Sequence, residues 1–105
     1  MIKVYGSKMC PDCRNLELNF KKFNIEYLYL DINSSLKNLK EFLYYRDSYP
    51  KIFDRLKSIG DIGIPCVIDS DNVFTDWEGF LINRGYTDLE YEESSVSCSI
   101  DHKNC

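Results

Sequence analysis

Residues 2–13 have the sequence IKVYGSKMCPDC, and this stretch decides the fold. Apolar and polar side chains alternate over its first four residues and Gly6 follows, which is typical of a strand that leaves into a loop. Pro11 suits the first position of a helix, so Cys10 and Cys13 stand where a strand ends and a helix begins. A helix N-terminus carries about half a positive charge, which lowers the pKa of a cysteine held there. The stretch therefore predicts a strand–helix unit that carries a reactive thiolate.

The size and composition of the chain limit its class. With 105 residues, of which 44% are hydrophobic and 14% aromatic, it is expected to fold alone as one globular domain. A net charge of −4 argues against a nucleic-acid partner, because the summed field repels phosphate. The first residues lack the apolar stretch of a signal peptide, and no run approaches the roughly 18 apolar residues that cross a bilayer. We therefore predict a cytoplasmic location and no membrane partner.

The chain has five cysteines, an odd number. In a chain predicted to be cytoplasmic they argue against a structural disulfide framework, since a reducing compartment keeps most thiols reduced. The two roles left for the Cys10–Cys13 pair are catalysis and metal binding.

Periodicity predicts the remaining elements. Leu16, Phe20 and Phe23 fall on one face of the first helix, and residues 25–32 indicate a second, largely buried strand parallel to the first. The later elements are a helix from residue 36 to about 47, a helix over about 51–59 with Gly60 as its C-cap, strands at 66–68 and 72–75 around a polar turn at 69–71, and a helix from Asp76 to about residue 83. The predicted domain covers residues 1–84, and residues 85–105 are predicted to form a polar, flexible tail.

This order of elements, with Cys-Pro-Asp-Cys after the first strand, resembles the glutaredoxin branch of the thioredoxin fold. A second landmark is the segment GDIGIP at residues 60–65, which looks like the family's segment in which a Gly is followed three residues later by Thr-Val-Pro with a cis proline. Gly63 and Ile64 replace the Thr and the Val. The resemblance covers residues 1 to about 84 and implies an α/β, thioredoxin-like (glutaredoxin) fold: a four-stranded mixed sheet with helices on both faces.

The resemblance also implies an activity. A glutaredoxin-like thiol–disulfide oxidoreductase reduces protein disulfides or glutathione mixed disulfides. Cys10 would be its nucleophile, Cys13 its resolving thiol and Pro65 the proline that faces them. Because Cys10 stands at the helix entry and Cys13 a turn further in, Cys10 is expected to be the more exposed thiol and Cys13 the more covered and more protonated one. The electron donor would be glutathione or a thioredoxin-type reductase, and no other cofactor is implied.

Glutathione binding is where this chain departs from the family pattern. Glutaredoxins have a Gly-Gly pair followed by acidic residues, whereas residues 74–78 here are FTDWE. The positions that match binding residues are Lys8, Ile64 and Asp76, with Pro11 and Asp12 of the motif itself. Asp76 could equally be a plain N-cap, and Lys8 a solvated loop residue.

Asp12 stands where dithiol glutaredoxins commonly have Tyr. Its charge raises the pKa of Cys10 and so opposes the helix effect. Lys8 and Arg14 are near enough in sequence to offset that charge, so the sign of the net shift stays open at this point. Asp12 is also simply an acid favoured in the first turn of a helix.

Cys66 follows Pro65 directly and has two interpretations. One is a buried small residue on the third strand. The other is a third soft ligand beside Cys10 and Cys13, which would make the protein a metal or iron–sulfur carrier. We expect the purified protein to carry no metal.

The last residues contain Cys98, His102 and Cys105. Their side chains are of metal-ligating type, or the thiols are incidental, or the two cysteines pass electrons to or from Cys10 at the roughly millimolar effective concentration that a tether provides. A further alternative for the whole protein is a redox-responsive binding module with no turnover of its own.

Overall fold

A computed structural model describes residues 1–92 of the chain. The elements are β1 (Ile2–Gly6), α1 (Pro11–Lys22), β2 (Tyr27–Asp31), α2 (Leu36–Ser48), α3 (Pro50–Ser58), β3 (Cys66–Asp69), β4 (Asn72–Phe74) and α4 (Trp77–Asn83). The order and type of the predicted elements are confirmed.

The four strands form one mixed sheet in the order β2-β1-β3-β4. β1 pairs parallel with β2 and antiparallel with β3, and β3 pairs antiparallel with β4. β1 is a central strand, so the loop that follows it leaves the sheet between β2 and β3 rather than at a lateral edge of the sheet.

The alternation of side chains along β1 separates two hydrophobic clusters. Val4 belongs to a cluster with α1 and α4, whereas Tyr5 belongs to a cluster with α2 and α3. The first cluster has as its buried members Val4, Leu16, Phe20, Val67, Trp77 and Leu81. The second has Tyr5, Phe42, Phe53, Cys66, Ile68 and Val73. Helices therefore cover both faces of the sheet, as predicted.

β2 differs from its prediction. It was expected to be largely buried, but it is an edge strand whose Leu28 is 44% exposed. The apolar content of the segment is explained by its alternation, because Tyr27 and Tyr29 pack against the α1–α4 cluster while Leu30 packs against the α2–α3 cluster.

Local signals explain where the helices begin and end. The Ser35 hydroxyl accepts a hydrogen bond from the backbone N–H of Asn38 and caps α2. α3 ends at Ser58 with Ile59 as its C-cap, so Gly60 lies one position later than predicted. Gly60 is left-handed and terminates the helix, since the Asp61 N–H that follows it bonds the Leu56 carbonyl. None of the helices among residues 1–92 combines the length and the apolar character that crossing a membrane requires.

Residues 85–92, predicted to be part of a flexible tail, instead lie along α1. The ring of Tyr86 stacks on Phe23 with 4.5 Å between centroids, and Leu89 packs against the α1–α4 cluster. The Asn19 amide donates to the Glu90 carbonyl at 2.7 Å and accepts from the Glu90 N–H at 2.8 Å. We call residues 86–92 the C-terminal strap. The packed domain therefore extends past residue 84 to residue 92, and the rest of the predicted tail lies outside the described residues.

Candidate active site

Ser7 organises the loop between β1 and α1. Its carbonyl accepts from the Cys10 N–H at 3.1 Å, and its hydroxyl accepts from the Met9 N–H at 3.1 Å and donates to the Asn33 side chain. Its own N–H points to the Cys13 sulfur at 3.5 Å. This single buried residue thus holds both ends of the motif. The sequence reasoning missed it, although a Ser between a strand and a helix is a recognisable loop signal.

Cys10 occupies the N-cap position of α1. Its pKa is lowered to about 7, first because the Cys13 thiol donates a hydrogen bond to it, and also because the backbone N–H groups of Cys13 and Asp12 point at the sulfur. Burial and the Asp12 charge oppose this effect. The net shift, whose sign the sequence left open, is therefore downward, and hydrogen bonds rather than a cation are the causes that lower the pKa.

Cys13 has the opposite properties. It is fully buried, and its pKa is raised far above the ordinary value, first because its proton is held by Cys10 and second because burial disfavours the thiolate. The N–H of Ser7 favours the thiolate but does not outweigh these effects. The predicted difference between the two thiols is confirmed. Cys10 is the more exposed of the two, as expected, although only 7% of its surface is exposed, against 0% for Cys13.

Asp12 is fixed by a residue far away in the sequence. The indole N–H of Trp77 donates to its carboxylate at 3.2 Å. Desolvation raises the pKa of Asp12, the Trp77 hydrogen bond opposes that effect, and the negative charges of Glu78 and Asp61 raise the pKa further. Asp12, Glu78 and Asp61 therefore place three carboxylates near one another beside the motif.

The sequence suggested that Arg14 could offset the charge of Asp12, but Arg14 has other partners. Its Nε lies 2.6 Å from the Glu92 carboxylate at the end of the C-terminal strap, and another of its nitrogens donates to the Lys8 carbonyl. Its charge is therefore paired. Lys8 itself is exposed in the loop between β1 and α1, which agrees with its interpretation as a solvated loop residue.

The other predicted site residues lie as follows. Pro11 is buried at the first position of α1, and Pro65 is buried and joined to Ile64 by a cis peptide bond, which the resemblance predicted. Ile64 is half-buried against the α2–α3 cluster. Asp76 accepts from the Gly79 N–H at 3.0 Å and is the N-cap of α4, which confirms its plainer interpretation. A role of these residues in binding substrate stays a prediction.

Cys66 does not join the cysteine pair on the α1 side of the sheet. Its side chain is fully buried in the α2–α3 cluster with Tyr5, because consecutive strand residues point to opposite faces. Burial alone raises its pKa to about 12. It is thus a buried small residue, which confirms the first of its two interpretations, and it is not a third thiol beside Cys10 and Cys13.

No group of three or more His, Cys, Asp and Glu side chains within residues 1–92 is arranged to hold a metal ion. The carrier hypothesis built on Cys10, Cys13 and Cys66 therefore has no support in this part of the chain. Cys98, His102 and Cys105 lie outside the described residues.

Tyr29 is a second neighbour of the pair that the sequence reasoning missed. Its hydroxyl oxygen is shielded from solvent, and its one hydrogen-bonding neighbour among the described residues is the Cys13 side chain, toward which it makes no hydrogen bond of ordinary geometry. Desolvation is the first cause that raises its pKa, and interaction with Cys13 is the second. The one signal in the sequence is that Tyr29 places a hydroxyl on the face of β2 that packs against the α1–α4 cluster.

The fold and the site together define an α/β protein with a cysteine pair at the junction of a central strand and a helix. Comparison with known proteins adds one relative: an uncharacterized protein of Haemophilus influenzae is 32% identical over 65 residues, which cover 62% of this chain and 74% of that protein. The chain belongs to the same family as this relative. No family model matches the chain, and no solved structure does.

Proposed function

We propose that the protein is a glutaredoxin-like thiol–disulfide oxidoreductase with a thioredoxin-like fold, in which Cys10 and Cys13 exchange electrons with disulfide substrates. The observation that carries this proposal is the difference between the two thiols. Cys10 has a pKa of about 7 and keeps a small exposed surface, whereas Cys13 is buried and stays protonated. A pair with this asymmetry has one attacking sulfur and one reserve sulfur.

The chemistry runs in two exchange steps. The Cys10 thiolate attacks one sulfur of a substrate disulfide, so that a Cys10–substrate bond forms, the substrate bond breaks and the released thiolate takes a proton from solvent. Cys13 then loses its proton and attacks the Cys10 sulfur, which releases the second substrate thiol and leaves a Cys10–Cys13 disulfide. The substrate disulfide is reduced by two electrons, and an external thiol reductant reduces the protein again.

The charges around Cys10 favour one kind of substrate. Asp12 is close enough to Glu78 and Asp61 for each to raise its pKa. Glutathione has two carboxylates and one amino group, so this field disfavours it. A protein disulfide flanked by Lys or Arg is favoured, because opposite charge steers encounter. We therefore place protein disulfides before glutathione mixed disulfides among the substrates of Cys10.

The test is a coupled assay of disulfide reduction with wild type, Cys10→Ser and Cys13→Ser. Wild type should turn over, Cys10→Ser should lose activity, and Cys13→Ser should form the mixed disulfide and retain it. The part of the substrate that stays bonded to Cys10 increases the mass of the intact Cys13→Ser protein, and mass spectrometry detects this increase. The proposal fails if wild type reduces the substrate no faster than Cys10→Ser does. Metal analysis of the same samples tests the carrier alternative, which requires about one equivalent.

A further inference from the structure

The hydroxyl of Tyr29 lies beside Cys13 in a space that Gly6 leaves open. A Cβ atom at Gly6 would lie 2.7 Å from the Tyr29 hydroxyl oxygen and 3.0 Å from the Cys13 sulfur. Both groups therefore pack against the backbone at the end of β1, in space that a side chain at position 6 would need. Any such side chain would collide with the Tyr29 hydroxyl.

A buried hydroxyl without a well-formed hydrogen bond costs free energy, and most buried polar side-chain atoms are hydrogen-bonded. An exception therefore needs an explanation. Among residues 1–92 the Tyr29 oxygen has no hydrogen bond of ordinary geometry, and Cys13 is the one side chain whose interaction with its hydroxyl has hydrogen-bond character. The Tyr27 hydroxyl on the same strand, by contrast, donates to Glu17 at 2.8 Å. Cys13 is also the residue beside the Tyr29 hydroxyl that changes charge in the proposed reaction. In the resting state Cys13 holds its proton toward Cys10 and does not need a second donor.

We propose that Tyr29 is a positioning residue for the resolving cysteine, whose hydroxyl donates a hydrogen bond to the Cys13 sulfur when that sulfur becomes a thiolate. This inference rests on the proposed dithiol function and deepens it. The Ser7 N–H already points at the same sulfur at 3.5 Å, so the thiolate would have two donors in a site that excludes water. Hydrogen bonds to a charged group are stronger than neutral ones, and they act here only after the first exchange step.

Tyr29 keeps its own proton throughout. Burial and the negative charges of Cys13, Glu17 and Asp31 all raise its pKa, so it acts as a donor and not as a base. The proton that Cys13 loses passes to the substrate thiolate that leaves Cys10. The bond changes are those of the second exchange step: the Cys13–Cys10 bond forms and the Cys10–substrate bond breaks.

The experiment separates the two exchange steps in time. The reduced protein, with Cys98→Ser and Cys105→Ser in every sample, is mixed with an aromatic disulfide that releases a coloured thiol. Attack by Cys10 releases one equivalent, and attack by Cys13 on the mixed disulfide releases the second. Tyr29→Phe removes only the hydroxyl, and Tyr27→Phe is the matched control on the same face of β2.

We expect Tyr29→Phe to leave the first phase within twofold of wild type and to slow the second phase about tenfold, which corresponds to about 1.4 kcal/mol in the barrier. The pH at which the second phase reaches half its maximal rate should rise, because the Cys13 thiolate has lost a donor, while Tyr27→Phe should change neither phase. Two phases in Tyr29→Phe that match wild type would overturn the role of Tyr29, and so would an equal slowing of both phases. Absence of a second phase in wild type would instead refute the dithiol function itself.

Discussion

The Cys13 thiol donates a hydrogen bond to the Cys10 sulfur, and this contact is the largest cause of the lowered pKa of Cys10. The same contact is the largest cause of the raised pKa of Cys13. One proton is thus shared unequally between two sulfurs, and Cys10 is ready to attack because Cys13 is not.

Replacing Cys13 should therefore weaken Cys10. In Cys13→Ala the midpoint of Cys10 alkylation against pH should rise from about 7 to about 8 or above, because a hydrogen bond to a charged group contributes about 1.5–3 kcal/mol and one pKa unit corresponds to about 1.4 kcal/mol. Cys13→Ser, which keeps a hydroxyl donor, should fall between Cys13→Ala and wild type. The measurement is the rate of iodoacetamide modification of Cys10, followed by mass spectrometry of its peptide. A midpoint in Cys13→Ala equal to that of wild type would contradict the shared proton.

Asp12 acts on Cys10 in the opposite direction, since its negative charge raises the pKa of the thiol. Asp12→Asn should lower the alkylation midpoint by a few tenths of a pH unit to about one, the range that Coulomb's law gives for a partly screened neighbour. The amide oxygen can still accept from the Trp77 N–H, so the geometry is retained. Asp88→Asn serves as the control, because it removes a charge of the C-terminal strap that pairs with Lys22 at the far end of α1. If both variants shift the midpoint equally, the effect comes from net charge alone.

The carboxylates around the motif should make the enzyme select substrates by charge. We expect a disulfide peptide flanked by lysines to give a kcat/KM about tenfold above that of the same peptide flanked by glutamates at low salt. The ratio should approach one near 0.5 M salt, because exposed charges are screened. In Asp12→Asn/Glu78→Gln the ratio should shrink at low salt as well. Equal rates for the two peptides with wild type at low salt would exclude selection by charge.

The tail cysteines provide a prediction that depends on sequence alone. If Cys98 and Cys105 pass electrons to Cys10, turnover with an external dithiol should fall in the double variant Cys98→Ser/Cys105→Ser, while alkylation of Cys10 stays unchanged. The paired measurement separates electron supply from the reactivity of the site. Turnover equal to that of wild type would mean that the two thiols are incidental.

Some of the site was predictable because it depends on neighbours in sequence. A strand, a proline at the first helical position and two cysteines three residues apart predict where the thiols lie and which is more reactive. The pairing of Trp77 with Asp12 and the approach of Tyr29 to Cys13 join residues that are 65 and 16 positions apart, and no local pattern indicates them. For Cys66 the sequence left two interpretations, because its proximity to Pro65 suggested a third ligand. The alternation of side chains along β3 decides for the buried residue.

The C-terminal strap was mispredicted because acidic composition alone suggested a tail. Its order depends on Asn19, a fully buried amide on the inner side of α1 that satisfies both backbone groups of Glu90. Asn19→Ala should lower the free energy of unfolding by about 1–3 kcal/mol, since it leaves a partly buried N–H and C=O without partners. Urea denaturation followed by circular dichroism measures this, with Lys21→Ala, an exposed residue of the same helix, as the control. Hydrogen exchange should then show faster exchange of the Glu90 amide in Asn19→Ala than in wild type. If the amide keeps its protection and the two alanine variants are equally stable, Asn19 does not hold the strap.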